Sequence, residues 1–137
     1  MNRHKSTDYW VGQAGEQVVS LWLQAKGWQI CHRRWRCRGG EIDLIATEGE
    51  QLRFIEVKTR RSRNWDADGL LALTSIKQQR LWRAAETFLG KFPQYQDWPC
   101  RFDLALVAYP GAVAISLTPE QVPRQFVVRR YIEGILC

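Results

Sequence analysis

Two runs of strand-forming residues, EIDLIAT (41–47) and QLRFIEVKT (51–59), stand on either side of Glu48-Gly49-Glu50. A three-residue connection containing Gly joins antiparallel neighbours, so this hairpin fixes the centre of any fold the chain adopts. Alternate side chains of a strand share a face. Ile42, Leu44 and Ala46 therefore form the apolar face of the first strand, with Glu41 and Asp43 opposite. In the second strand Phe54, Ile55 and Val57 call for burial, yet Glu56 and Lys58 lie on one face, about 7 Å apart. With the outer ends of the two strands aligned, the start of the first lies beside the end of the second. That register brings Asp43 near Glu56 and Lys58.

The rest of the chain supplies layers for this hairpin. The spacing predicts a helix from Thr7 or Asp8 to Lys26, with Trp10, Val11, Ala14, Val18, Leu21, Trp22 and Ala25 on one apolar stripe. Gly27 ends it. A strand over Trp28 to Arg34 leads into a basic loop with Arg36, Arg38, Gly39 and Gly40. After the polar stretch RRSRNWDADG, a second helix runs from Ser75 to Leu89. Ser75 and Gln78 have capping-box spacing, and Leu81, Ala84, Ala85, Phe88 and Leu89 form the buried face. Strands over 101–109 and 112–117 follow, linked by Pro110-Gly111, with a last strand at Phe126 to Val128. Helix, strands, helix, strands predicts an α/β sandwich in which helices flank a central mixed sheet.

The 137 residues contain no internal repeat or linker and read as one domain over 1–137, with a basic segment at 1–7 and a tail at 119–137 that the pattern does not place. Twenty Lys and Arg against fourteen Asp and Glu give a net charge of +6, which favours acidic or phosphate-rich partners. Cys31, Cys37, Cys100 and Cys137 form no CxxC pair and have no His at zinc spacing. The start MNRHKSTDYW does not resemble a signal peptide, and no run reaches membrane-spanning length. Reduced thiols in a cytoplasmic protein, with no membrane partner, are the expectation. His4 and His32 have no partner motif.

Two carboxylates converging with a lysine have a specific chemical use. Mg²⁺ takes oxygen ligands, keeps several waters, and is held by one or two carboxylates plus substrate phosphate. Asp43 and Glu56 offer the carboxylates, and the backbone carbonyl of Val57 a third oxygen. Lys58 is placed to orient a nucleophile or stabilise a transition state in phosphodiester hydrolysis. The plain alternative for Glu56 and Lys58 is a solvated charge pair worth about 0–1 kcal/mol.

Asp43, twelve residues, Glu56, one residue and Lys58 on a hairpin resembles the PD-(D/E)xK signature of the restriction-endonuclease-like fold. The surrounding text, GQAGEQ (12–17), GGEIDLIA (39–46), FIEVKTR (54–60), Lys77 and RFD (101–103), resembles the bacterial YraN family across roughly residues 9–117. That family is similar in fold to Holliday-junction resolvases. The resemblance implies metal ligands at Asp43 and Glu56, a catalytic lysine at Lys58, and a helix glutamate at Glu16 that approaches the metal or its water. Ile42 stands where the signature has Pro, and Trp82 where a Gln-x3-Tyr element beginning at Gln78 would have Tyr. A metal-dependent DNA endonuclease using Mg²⁺ or Mn²⁺ on branched or flapped DNA is implied, as a homodimer if it cuts two strands symmetrically. The alternative from another class is a nucleic-acid-binding accessory protein of the same fold without turnover.

Several residues admit two readings. Glu16 is either a solvated helix residue or a site member, and Asp103 either pairs with Arg101 or caps a neighbouring element. The tracts Arg33-Arg34-Trp35-Arg36 and Arg60-Arg61-Ser62-Arg63-Asn64-Trp65 interleave arginines that grip phosphates with aromatics that stack on bases or pack the loop. Arg34, Arg36, Arg60 and Arg61 are the DNA-contact candidates. Lys77 joins them because a cation in the first turn of a helix opposes the helix dipole unless an anion accompanies it.

Overall fold

The computed structural model describes residues 7–61, 73–110 and 125–136. Helix α1 (Thr7–Ala25) is followed by strands β1 (Gln29–Cys37), β2 (Gly40–Glu48) and β3 (Gln51–Arg61), then helix α2 (Ser75–Lys91). A 3-10 turn at Pro93–Tyr95 leads to β4 (Cys100–Tyr109), and β5 (Val127–Ile132) closes the order. The strands form one sheet in the order β1-β2-β3-β4-β5. Its β3–β4 pair is parallel and the other pairs are antiparallel. Parallel neighbours need a long crossover, and α2 lies in it.

The helices cover opposite faces. Val11, Ala14, Val19 and Leu23 of α1 pack on Leu44, Ala46, Ile55, Ala105 and Val107. Leu81, Ala84, Ala85 and Phe88 of α2 pack on Ile42, Ile45, Leu52, Phe54 and Phe102. This is the α/β sandwich with a mixed central sheet, of the restriction-endonuclease-like class, that the sequence predicts.

Several boundaries and faces differ from the sequence reading. Trp10 and Leu21, assigned to the apolar stripe of α1, are 54% and 55% exposed, while Val19 and Leu23 are buried. The face is set by a close crossing over β3. A Cβ built on Gly15 would lie 2.0 Å from Thr59 Oγ1, so only Gly allows this approach, and the neighbours of Gly15 on the helix go inward with it. Trp22 is half-buried and stacks on Tyr131 at the flank, 5.0 Å between ring centres, and Ala25 is exposed.

In α2 the cap is Thr74, not Ser75: its Oγ1 accepts from Lys77 N at 3.2 Å, and Gln78 Nε2 donates to Leu73 O at 3.1 Å instead of closing a capping box. Strand β1 runs on to Cys37, so Arg36 lies in a strand and not in a loop. Phe126 is buried just before β5, which extends beyond the expected Val128 to Ile132. The expected strand at 112–117 and the tract 62–65 fall outside the described residues. No helix among the described residues is long and apolar enough to cross a membrane.

Candidate active site

The site begins at a kink in β1. Arg34 has φ +51°, the one positive value at a non-glycine residue among those described, a conformation that costs an L-residue about 1–2 kcal/mol. The kink breaks the alternation of the strand. Arg33 Nη1 donates to Ser20 Oγ and Arg34 Nε to Glu16 Oε1, both at 2.7 Å, so two successive side chains reach α1. Trp35 then returns to the other face, edge-on to Phe88. Between the pairs Arg33↔Leu44 and Trp35↔Ile42, Arg34 falls opposite Asp43, and β2 breaks its alternation there too. Ile42 packs with the α2 cluster and Leu44 and Ala46 with the α1 cluster, so these three do not share the single apolar face that strict alternation predicts.

The β2–β3 ladder stops at the same level. Its last pair is Leu44↔Ile55, and at the next step the side chain of Asp43 takes the place of a backbone partner: Oδ2 accepts from Val57 N at 2.8 Å. Asp43 is only 8% exposed, with Glu56 within hydrogen-bonding reach. Burial, followed by the hydrogen bond and negative charge of Glu56, holds the Asp43 carboxyl well above the usual carboxylate range, against the Val57 N–H, which favours the anion. A buried carboxyl facing a second carboxylate binds a proton tightly, or a cation in its place.

Alternation along β3 puts Glu56 and Lys58 on the face of Leu52 and Phe54, toward α2. There Lys58 meets the ammonium of Lys77. Burial, then the hydrogen-bonding contact and like charge of Lys77, then Arg60, push Lys58 down to about 8, with Glu56 opposing. Glu16 approaches from the α1 side. Burial raises its pKa, the Arg34 hydrogen bond opposes the rise, and the charge of Asp43 adds to it. The splayed end of the hairpin thus gathers Glu16, Asp43, Glu56 and Lys58, with carboxylates arriving from both faces of the sheet.

The basic candidates separate in space. Arg34 is committed to Glu16 and lies over the Tyr9 ring at 5.2 Å. Arg36 is exposed and pairs with Glu41 at 3.0 Å. Arg60 and Arg61 are exposed at the end of β3, and Lys77 stands beside Lys58. An open cleft of about 550 Å³ runs along the site, with Asp43 and Glu56 on one side and Lys77 and Arg80 of α2 on another. Arg36 at the end of β1, Arg38 on the β1–β2 turn and Glu41 at the start of β2 complete its rim. Sequence reasoning singled out neither Arg38 nor Arg80 as a contact. Gly39-Gly40, which bring the turn against α2, were the available signal.

Asp103 is structural. It is fully buried and accepts from Arg101 Nε (2.8 Å), Arg101 Nη2 (3.1 Å), Tyr131 OH (2.6 Å) and Gly134 N (3.1 Å). These bonds tie β5 and the residues after it to β4.

Among the described residues no group of three His, Cys, Asp or Glu side chains is placed to hold a metal ion. The donors at the site are carboxylate oxygens with no thiolate or imidazole among them, a set that suits a hard cation completing its shell with water and substrate, and not zinc.

Fold and site together define a restriction-endonuclease-like α/β domain with two carboxylates and a lysine at the open end of its central hairpin. Residues 15–107 match the model of the uncharacterised protein family UPF0102, and the chain belongs to this family, the YraN family of the sequence resemblance. A UPF0102 protein of Acaryochloris marina is 49% identical over 112 residues, 75% of this chain and 65% of the relative. One of Trichodesmium erythraeum is 49% identical over 108 residues, 70% and 60%. One of Synechococcus sp. (strain JA-3-3Ab) is 50% identical over 107 residues, 77% and 82%. The chain thus spans less than two thirds of the first two relatives.

Proposed function

We propose that this protein is a metal-dependent endonuclease that hydrolyses phosphodiester bonds in DNA, with branched or flapped DNA as the substrate class carried by the resolvase likeness. The observation that supports this most directly is the convergence of Asp43 and Glu56 where the hairpin opens, with Lys58 on the face of Glu56. An ordinary charged strand has no reason to bury one carboxylate against another.

Asp43 and Glu56 would hold Mg²⁺ or Mn²⁺. An extended residue directs its N–H and C=O to the same edge of its strand, and the Val57 N–H points at Asp43, so the Val57 carbonyl would offer the third oxygen. When bound, the cation would supply Lewis-acid charge neutralisation and lower the pKa of a coordinated water. The residues of the chain do the rest. Lys58, held near 8, populates both its forms at mildly alkaline pH and is suited to orient the attacking water or steady charge on the phosphate. Glu16, fixed by Arg34, offers a further acceptor for a proton of that water. The water oxygen adds to phosphorus as its proton passes to Glu16, one P–O bond to a sugar oxygen breaks, and that oxygen leaves with a proton taken from solvent in the open cleft. Arg36, Arg60, Arg61 and Lys77 are the phosphate contacts of this reading.

The test is incubation of labelled four-way junctions, flaps, single strands and duplexes with Mg²⁺ or Mn²⁺. Cleavage by the wild type that falls at least 100-fold in Lys58→Ala is expected, on the scale of a lost acid–base or electrostatic group. Cleavage that survives the substitution unchanged refutes the mechanism.

A further inference from the structure

The β1–β2 turn is pressed onto α2. A Cβ built on Gly40 would lie 2.9 Å from the Arg80 carbonyl oxygen, and one on Gly39 would lie 3.4 Å from Arg83 Cβ. The contact fixes Arg38, on the turn, relative to Lys77 and Arg80, on successive turns of the helix. All three line the cleft that also holds Asp43 and Glu56. Among the described residues, none of the three makes an ion pair, whereas Arg36 beside them pairs with Glu41. The cleft lining carries four cations, at Arg36, Arg38, Lys77 and Arg80, and three carboxylates, at Glu41, Asp43 and Glu56. Arg36 and Glu41 offset one another, which leaves Arg38, Lys77 and Arg80 facing the Asp43 and Glu56 carboxylates across the cleft.

Three cations on one wall of a concave surface, none of them in an ion pair among the described residues, define an anion site. From this geometry we infer that Arg38 and Arg80, with Lys77, bind backbone phosphates of the nucleic-acid strand next to the one that is cut. The inference rests on the nuclease reading for the position of the scissile phosphate, and it adds a second, separate grip. Three cations spread over the β1–β2 turn and the start of α2 reach two to three successive phosphodiesters, so the strand is held across the cleft between these elements. These residues hydrogen-bond to phosphate and not to base edges, so the grip is independent of sequence. They act in binding and not on the reacting atoms.

The experiment is fluorescence anisotropy of a labelled DNA single strand and duplex with the full chain in EDTA, where no cleavage occurs, across a range of KCl. Each phosphate contact contributes to the slope of log K against log salt. Arg38→Ala/Arg80→Ala is expected to weaken binding about 10-fold or more at low salt and to flatten the slope by about two, one per arginine. Arg38→Lys/Arg80→Lys is expected to keep most of the slope. Lys26→Gln/Lys91→Gln, which removes the same charge outside the cleft, is expected to leave it nearly unchanged. An unaltered slope in the double alanine variant overturns the inference, as does an equal loss in Lys26→Gln/Lys91→Gln. Calorimetric titration with Mn²⁺ separates the two readings. Mn²⁺ affinity that persists in the double alanine variant supports a distinct phosphate site. A wild-type protein that binds DNA with the expected slopes but takes up no Mn²⁺ leaves the phosphate site standing and overturns the nuclease reading.

Discussion

Arg34 Nε donates to Glu16 Oε1 at 2.7 Å, from a backbone conformation that an arginine adopts only at a cost. The pair joins the kink of β1 to α1 and holds a third carboxylate within electrostatic range of Asp43. Strain of this kind persists where surrounding structure enforces it, and it concentrates at functional sites. Arg34→Ala loses the pair and keeps the strain; Arg34→Gly loses the pair and relieves it. Thermal unfolding is therefore expected to show Arg34→Gly more stable than Arg34→Ala by about 1 kcal/mol. Both variants are expected to lose nuclease activity, since Glu16 is freed in each.

Asp43 makes the metal-free protein sensitive to pH. Its carboxyl binds a proton more tightly in the folded state than in the unfolded chain, where the ordinary value is 3.8. The folded state thus carries more bound protons above that value, and stability falls as pH rises from about 4 toward the raised folded value. Asp43→Asn removes this dependence and keeps an oxygen acceptor for Val57 N. In EDTA the variant is expected to unfold at a higher temperature than wild type, by a margin that widens with pH. Saturating Mn²⁺ is expected to raise the wild-type midpoint and leave that of Asp43→Asn unmoved, because a ligand stabilises only the state that binds it.

Gly15 is the point where α1 rests on β3. Alanine is ordinarily favoured over glycine in a helix by about 1 kcal/mol, but here its methyl would lie 2.0 Å from Thr59 Oγ1 and 3.1 Å from Thr59 Cβ. Thr59 is β-branched and stiff, so the helix has to move. Gly15→Ala is expected to destabilise the protein by about 1–3 kcal/mol in urea unfolding, and Thr59→Ala in the same chain to recover part of the loss. Thr59 Oγ1 is also buried without a hydrogen-bond partner. Thr59→Val, nearly the same shape, is therefore expected to be neutral or stabilising by about 1 kcal/mol.

Asp103 anchors the last strand. Asp103→Ala leaves the Tyr131 hydroxyl and the Gly134 N–H without their acceptor and the Arg101 guanidinium without its buried partner. Arg101 is partly exposed and keeps Glu133, so the cost, about 1–3 kcal/mol, comes from the donors left without an acceptor. Hydrogen exchange is expected to accelerate first in 127–135, before the β2–β3 hairpin, because among the described residues β5 lies at the edge of the sheet beside β4. Equal acceleration throughout the sheet would count against a local anchoring role.

The sequence by itself determined the hairpin, the helix–strand order, the buried face of α2 and the approach of Asp43 to Glu56. These follow from local rules: alternation fixes which residues of β3 share a face, and a short turn, two residues long at Gly49-Glu50, fixes which strands lie side by side. Tertiary structure decided the inward face of α1, because the choice between Trp10 with Leu21 and Val19 with Leu23 depends on where Gly15 meets Thr59, a contact between residues 44 positions apart. It also decided the role of Arg34. As a sequence, Arg33-Arg34-Trp35-Arg36 is a basic tract facing solvent. In the fold, one residue with a positive φ turns two arginines onto α1 and binds one of them to Glu16. The assembly of Arg38, Lys77 and Arg80 into one cleft is likewise visible only once the turn is seated on α2. No periodicity records which elements are pressed together, because that is settled by packing across the whole sheet.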